Sequence, residues 1–173
     1  SIFSRLARIY STEINLLNTS YTLNKSLISI PNTLFYDNLL QSADKTQEDN
    51  TRYQGNHHAE ILNSEPHKLI LHNVFDGNQR SKYEAKLVAE LVSELLQNGV
   101  NIKDIGIISP FRAQVREIKY EVKKVLPKSM SKPFDTLLVD TVDGMQGQER
   151  DFIIYSFANS HPLESMRRLD FFY

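Results

Sequence analysis

The sequence predicts an α/β protein, with a parallel sheet carrying helices on both faces. Short apolar runs at Ile105–Ser109, Leu137–Asp140 and Phe152–Phe157 have strand character. The connecting stretch after the first run, and the stretch before it, carry helical periodicity. Strand–helix–strand order then calls for right-handed crossovers, which place helices over the sheet.

Composition fits one domain, or one domain with an excursion. The chain has 173 residues, 40% of them apolar and 24% charged, enough to bury a core. Its net charge of −1 supplies no global positive field for a polyanion, although a local groove remains possible on such a surface. Without cysteine there is no disulfide framework, thiolate zinc site or cysteine nucleophile. No apolar stretch is long enough to span a bilayer and no signal-peptide pattern opens the chain, so a cytoplasmic location without a membrane partner is expected. The chain starts in an apparent helix without an initiating Met and stops on apolar LDFFY, which leads us to expect a piece of a longer protein.

In chain order, Ile2, Leu6 and Ile9 predict a short amphipathic helix over Ser1–Tyr10. Ile14–Leu17 reads as a brief strand. Leu23, Leu27 and Ile30 share a helical face until Pro31 interrupts, and a second helix is expected around Thr33–Leu40. These elements make up a first segment, residues 1–41. Residues 42–68 are expected to be a polar insertion or flexible loop, since Ser42–Pro66 is nearly devoid of apolar residues. His57, His58, His67 and His72 lie in or beside it, but their spacing does not suit a metal site. Residues 69–173 hold the core. Leu69–Phe75 reads as a strand. Ser81–Asn98 is the clearest helix, with Tyr83, Leu87, Leu91 and Leu95 in one stripe, Ser81 and Glu84 at capping-box spacing, and Gly99 as the stop. Pro110 stands where the next helix can begin, and Val115, Ile118, Val122 and Val125 give its apolar face until Pro127.

In parallel sheets, ligands bind at the carboxyl ends of the strands. Ser109-Pro110-Phe111 and Thr141-Val142-Asp143 both fall on that edge. The connection after Thr141 continues through Gly144, Gln146, Gly147, Gln148 and Glu149 to Asp151. Its glycines would let backbone amides approach an anion closely, though an ordinary strand-to-strand connection has the same composition.

Four blocks together resemble superfamily 1 helicases of the nonsense-mediated-decay helicase type. IGIISPFRAQ is similar to their motif IV and VDTVDGMQGQERDFIIYS to their motif V. Upstream, SYTLNKSLISIPNTLFYDNLL resembles the Q-Y-R-M-H-P segment followed by F-P-x-x-x-F-Y-x-x-x-L, and the helix with Tyr83, Glu84 and Ala85 fits the spacing. The resemblance implies the second RecA-like domain of an ATP-driven translocase, which lacks a P-loop of its own. No G-x-x-x-x-G-K-[ST] occurs here, in keeping with that. It implies ATP with Mg2+ as cofactor, used only beside the first RecA-like domain of the same polypeptide, and single-stranded nucleic acid as partner, DNA favoured over RNA. Carried over by motif position, Gly147 is expected near phosphate, Glu149 near the ribose and Tyr21 beside the base, with Gln146 on the same nucleotide side. Ser109 and Thr141 are expected at the phosphate backbone of the strand, flanked by Pro110 and Asp143.

Departures matter too. Thr22 stands where the family carries the arginine of Q-Y-R, and Asn24-Lys25 replace its H-P. Threonine replaces neither the charge nor the bidentate geometry of arginine. Two other classes therefore stand beside the motor half: a non-catalytic interaction module with a helicase-like shape, and a Mg-dependent nuclease built from Asp135, Asp140, Asp143, Glu149 and Asp151.

Overall fold

A computed structural model describes residues 2–10, 17–21, 23, 25–43, 52–54, 58–63, 70, 76, 78–127 and 134–159. The chain divides into two compact units, Ser1–Arg52 with Asn63–Leu69, and Tyr53–Leu62 with Ile70–Tyr173.

In the first unit, α1 (Ile2–Ile9) forms where the spacing predicts, with Ile2, Leu6 and Ile9 exposed. Strands β1 (Thr19–Ser20) and β2 (Gln41–Ser42) pair in parallel, Thr19 opposite Gln41, and α2 (Lys25–Phe35) is the crossover between them. Leu17 lies outside any strand, and the rest of the strand expected at Ile14–Leu17 is outside the described residues. The expected break at Pro31 does not occur: α2 runs through it, and no separate helix spans Thr33–Leu40. Hydroxyls brace the flanking turns, Ser29 Oγ donating to Ser26 O at 2.7 Å and Thr33 Oγ1 to Ser29 O at 3.0 Å. The stop comes instead at Asp37 and Asn38, whose φ of 49° and 62° reverse the chain. Asn32 then clasps Leu40, accepting from its N–H at 2.8 Å and donating to its carbonyl at 3.0 Å.

The second unit carries the core. Helix α3 (Ala59–Leu62) is a single turn, and α4 (Lys82–Gln97) follows. After a 3-10 turn at Ile102–Asp104 come β3 (Ile105–Ile108), α5 (Arg112–Val125), β4 (Leu138–Asp140), the short α6 (Val142–Met145) and β5 (Phe152–Tyr155). Among the described residues the sheet order is β4-β3-β5, all parallel, with Gly106 opposite both Leu138 and Ile153. Of the Leu69–Phe75 strand only Ile70 is described, outside any strand.

Strand alternation decides which helices meet which face. Ile105 and Ile107 are fully buried with Val88, Val92, Val115 and Ile118 from α4 and α5. Burying side chains of this size contributes about 1.5–3 kcal/mol each. Gly106 points the other way: a Cβ there would come within 2.9 Å of Ile153 Cδ1, 3.0 Å of Met145 Cε and 3.1 Å of Arg150 Cγ. Thus α4 and α5 cover one face, while α6 and the β4-to-β5 connection lie on the other. The unit is α/β with a parallel sheet and helices on both faces, as expected.

Helix α4 begins as its sequence predicts. Ser81 is the N-cap, its Oγ accepting from Glu84 N–H at 3.1 Å. The box is not reciprocal, however: Glu84 turns away, and Ser81 N–H donates to Gln114 Oε1 at 2.8 Å. Ser81→Ala is expected to cost about 1–2 kcal/mol, seen as a lower denaturant midpoint at unchanged slope; an unmoved midpoint would remove the cap from this account.

Part of the segment expected to be solvated packs on this unit. Tyr53 meets Phe152 edge-on at 5.7 Å between ring centroids. Gln54 N–H donates to Asn98 Oδ1 at 2.6 Å, and His58 Nε2 lies 3.0 Å from Glu90 Oε2. Tyr53 and Leu62 are partly buried against the core, so the few apolar residues in that polar stretch are its anchors. The other four histidines, His57, His67, His72 and His161, lie outside the described residues.

Candidate functional site

Three parallel strands end side by side, and a hydroxyl residue follows each. Ser109 follows β3, Thr141 follows β4 and Ser156 follows β5. The ladder continues one step past the strands: Ser109 N–H donates to Asp140 O at 3.2 Å, and Ser156 N–H to Ile108 O at 2.8 Å. The motif IV and motif V stretches are therefore hydrogen-bonded neighbours on the carboxyl rim.

Thr141 is the N-cap of α6 without using its hydroxyl as a cap, and the side chain is half-buried. Asp140 serves that end instead, its Oδ1 accepting from Thr141 N–H at 2.7 Å. Gly144 is the counterpart of that carboxylate. A Cβ at Gly144 would fall on Asp140 Cγ and within 2.7 Å of Asp140 Oδ1. Asp143 is exposed, and its carbonyl accepts from Gln146 N–H at 3.3 Å.

Beyond α6 the chain turns outward. Gly147 has φ +77°, and nothing lies within 4 Å of where its Cβ would be. An L side chain is strained at this φ, while a ligand can approach the bare backbone. Gln146, Gln148 and Glu149 are exposed around it. Arg150 folds back under the sheet, donating from Nη1 to Glu149 O at 2.6 Å; its Nε is buried without a hydrogen-bond partner. Burial also pushes the Tyr155 phenol above its ordinary value, so the end of β5 contributes a neutral ring.

Three further expected site residues are Ser109, Pro110 and Tyr21. Ser109 is fully buried, its Oγ 3.4 Å from Phe111 N, so its hydroxyl braces the rim from within and offers no open face to a strand. Phe111, not Pro110, is the N-cap of α5, and half-buried Pro110 lies just outside the helix. Tyr21 belongs to the first unit and is 78% exposed. Thr22 and Asn24 are outside the described residues.

The five acids of the nuclease reading are all described, yet among the described residues no three His, Asp or Glu side chains group so as to hold a metal ion. Asp140 is occupied with Thr141 and Gly144, which removes it from any such group.

Gln114 escaped the sequence reading. It is fully buried at the start of α5 and reaches three partners: Ser81 N–H at 2.8 Å, Ser81 O at 3.0 Å and Ser156 Oγ at 3.0 Å. Ser156 Oγ donates in turn to Glu84 Oε2 at 2.7 Å, which also accepts from Ala158 N–H at 3.0 Å. The available signal was a lone glutamine on the face that Val115, Ile118 and Val122 line.

A parallel sheet with helices on its faces and an open glycine loop at its carboxyl rim fits a RecA-like domain. The chain belongs to the AAA domain family, whose profile matches residues 1–172, and it is a superfamily 1 helicase-type domain. It is similar to helicase sen1 of Schizosaccharomyces pombe, 28% identical over 98% of this chain and 10% of that protein. It is also similar to a DNA replication ATP-dependent helicase/nuclease of Arabidopsis thaliana, 26% identical over 92% of this chain and 12% of that protein. An uncharacterized ATP-dependent helicase of Methanocaldococcus jannaschii is 27% identical over 98% of this chain and 26% of its own length. The chain thus spans about a tenth to a quarter of these curated relatives. No helix among the described residues is long and apolar enough to cross a membrane.

Proposed function

We infer that this chain is the C-terminal motor half of an ATP-dependent helicase, supplying one wall of an ATP cleft and part of a single-strand track. The observation that carries the reading is the placement of the exposed Gln146–Glu149 loop, with Gly147 at positive φ, directly after a rim where β3 and β4 end together. ATP fits this loop chemically: open backbone at Gly147 suits a phosphate, and the exposed Glu149 carboxylate suits ribose hydroxyls. Bound there, ATP would supply the free energy of phosphoanhydride hydrolysis. Mg2+ has no ligand group among the described residues, so its carboxylate and the Walker lysine belong to the first RecA-like domain in this reading. Gln146 lines the nucleotide side. On the other side Thr141 donates its hydroxyl to a backbone phosphate, with Pro110 beside it and Ser109 bracing from behind. Asp143 accepts from base donors, since a carboxylate repels phosphate. DNA is the favoured strand chemistry.

Glu149→Ala in the full-length protein is expected to raise the KM for ATP about tenfold with kcat nearly held, because a hydrogen bond to a carboxylate is worth about 1.5–3 kcal/mol. Gly147→Val is expected to lower nucleic-acid-stimulated turnover itself. Unchanged kinetics in both variants would refute the site. A second reading, a helicase-shaped module without catalysis, is favoured by Thr22 in place of arginine. Background ATPase with intact strand binding would select it.

A further inference from the structure

Helix α5 carries a basic stripe that the rim does not use. Arg112, Arg116, Lys119 and Lys123 recur at intervals of four, three and four, so all four fall on one helical face. All are exposed, and none has an ion-pair or hydrogen-bond partner among the described residues. The acids of the helix are engaged elsewhere. Glu117 lies 3.6 Å from Arg80, and buried Glu121 accepts from Lys124 at 2.9 Å. Among the described residues, the outer face therefore keeps four positive charges without a paired acid, in a chain whose total is −1.

Local helix stability accounts for only part of this. Lys123 in the last turn complements the helix dipole. Arg112 and Arg116 sit in the first two turns, where cations oppose the dipole, and the first turn has no acid and no side-chain cap. They are placed against the preference of the helix, which points to an external anion. Arg112 follows Ser109-Pro110-Phe111 directly, so the stripe starts at the rim and runs down the flank of the domain. The eleven rises from Arg112 to Lys123 cover about 16 Å, long enough to follow several phosphates of a strand.

We propose that the outer face of α5 is a second nucleic-acid contact, holding the phosphodiester backbone where it continues past the rim. This rests on the nucleic-acid reading of the rim and adds a surface to it. A spaced row of cations without an apolar pocket suits a regular polyanion, and it binds without reading sequence. The helix positions strand; it touches no reacting atom.

The test uses full-length protein with labelled oligothymidylate and oligouridylate, each in a length confined to the rim and a longer one. The triple variant Arg116→Gln, Lys119→Gln, Lys123→Gln leaves Arg112 in place beside the rim. The matched control is Lys82→Gln, Lys86→Gln, Lys103→Gln, three exposed lysines elsewhere with the same charge change. Equal melting temperatures exclude misfolding. The α5 triple is expected to weaken binding of the longer oligomers about tenfold at low salt and to flatten the slope of log K against log salt by about 2, at about 0.7 per lost single-strand phosphate contact. The short oligomers and the control are expected to change little. Equal losses in both triples, or an unchanged slope, would overturn the proposal. Strand binding lost in Thr141→Val but intact in the α5 triple would keep the rim reading and remove only the stripe. No binding by the wild type would remove both. Polyglutamate that competes only through the stripe would make the partner an acidic protein and overturn the assignment.

Discussion

In the Gln114→Leu variant, stability is expected to fall by about 3–5 kcal/mol. The physical reason is asymmetry in hydrogen bonding. Leucine matches the volume of glutamine, so little packing is lost, yet Ser81 N–H, Ser81 O and Ser156 Oγ each lose a partner beside a site with no solvent access. Only Ser81 N–H is left unsatisfied, at about 1–3 kcal/mol; Ser81 O keeps Ala85 N–H and Ser156 Oγ keeps Glu84, so those two lost bonds cost about 0.5–1.5 kcal/mol each. Gln114→Glu separates this mechanism from simple packing. An ionised carboxylate there cannot donate to Ser81 O and would stand near the Glu84 carboxylate, whereas a protonated one regains a donor. Its deficit should therefore narrow as pH falls, in urea melts run at several pH values. A Leu variant within about 0.5 kcal/mol of wild type would place Gln114 among ordinary surface positions.

Gly144→Val is expected to cost about 1–3 kcal/mol, as overpacking does, and to uncouple the rim. The new Cβ would occupy the place of the Asp140 carboxylate. Asp140 can yield only by leaving Thr141 N–H, so the start of α6 loses its one capping contact. Because α6 leads directly into Gln146–Glu149, an unseated α6 displaces both faces of the proposed coupling loop at once. Strand-stimulated ATPase of the full-length variant should fall well beyond what the melt accounts for, while Gly144→Ala gives an intermediate loss. A Val variant with wild-type stimulation would show that the loop does not depend on Asp140.

Much of the second unit could be read in advance because its signals are local. The Ser81 cap, the four-residue repeat of Leu87, Leu91 and Leu95, and the apolar run at Ile105 each depend on neighbours in sequence, and α4 and β3 lie where these predict. What escaped depends on distant partners. Pro31 reads as a breaker, yet Ser29, Thr33 and Asn32 hold its flanks through bonds that composition does not reveal. Tyr53 lies in a polar stretch, and only the position of Phe152, about a hundred residues on, shows that it packs. Of the candidate site, the motifs marked Thr141 and Gly147 on the rim loop, but burial of Ser109 follows from the packing of β3 between two strands. The α5 stripe was visible as spacing alone; which cations lack acids required the positions of Arg80 and Lys124.

The sheet order has a consequence in time. Strand β3 is central, yet both its neighbours follow it in the chain, and its pairing with β5 joins Ile105 to Phe152. Closing so long a loop is entropically costly, and non-local parallel pairing is slow. As the chain emerges during synthesis, α4, β3 and α5 can collapse first, but Gln114 and Glu84 have no Ser156 until β5 has been made. The polar hub is thus completed only once β5 has been made, a few residues after the Gly147 loop, and a domain interrupted before that point keeps an amide and a carboxylate in its interior without their shared hydroxyl.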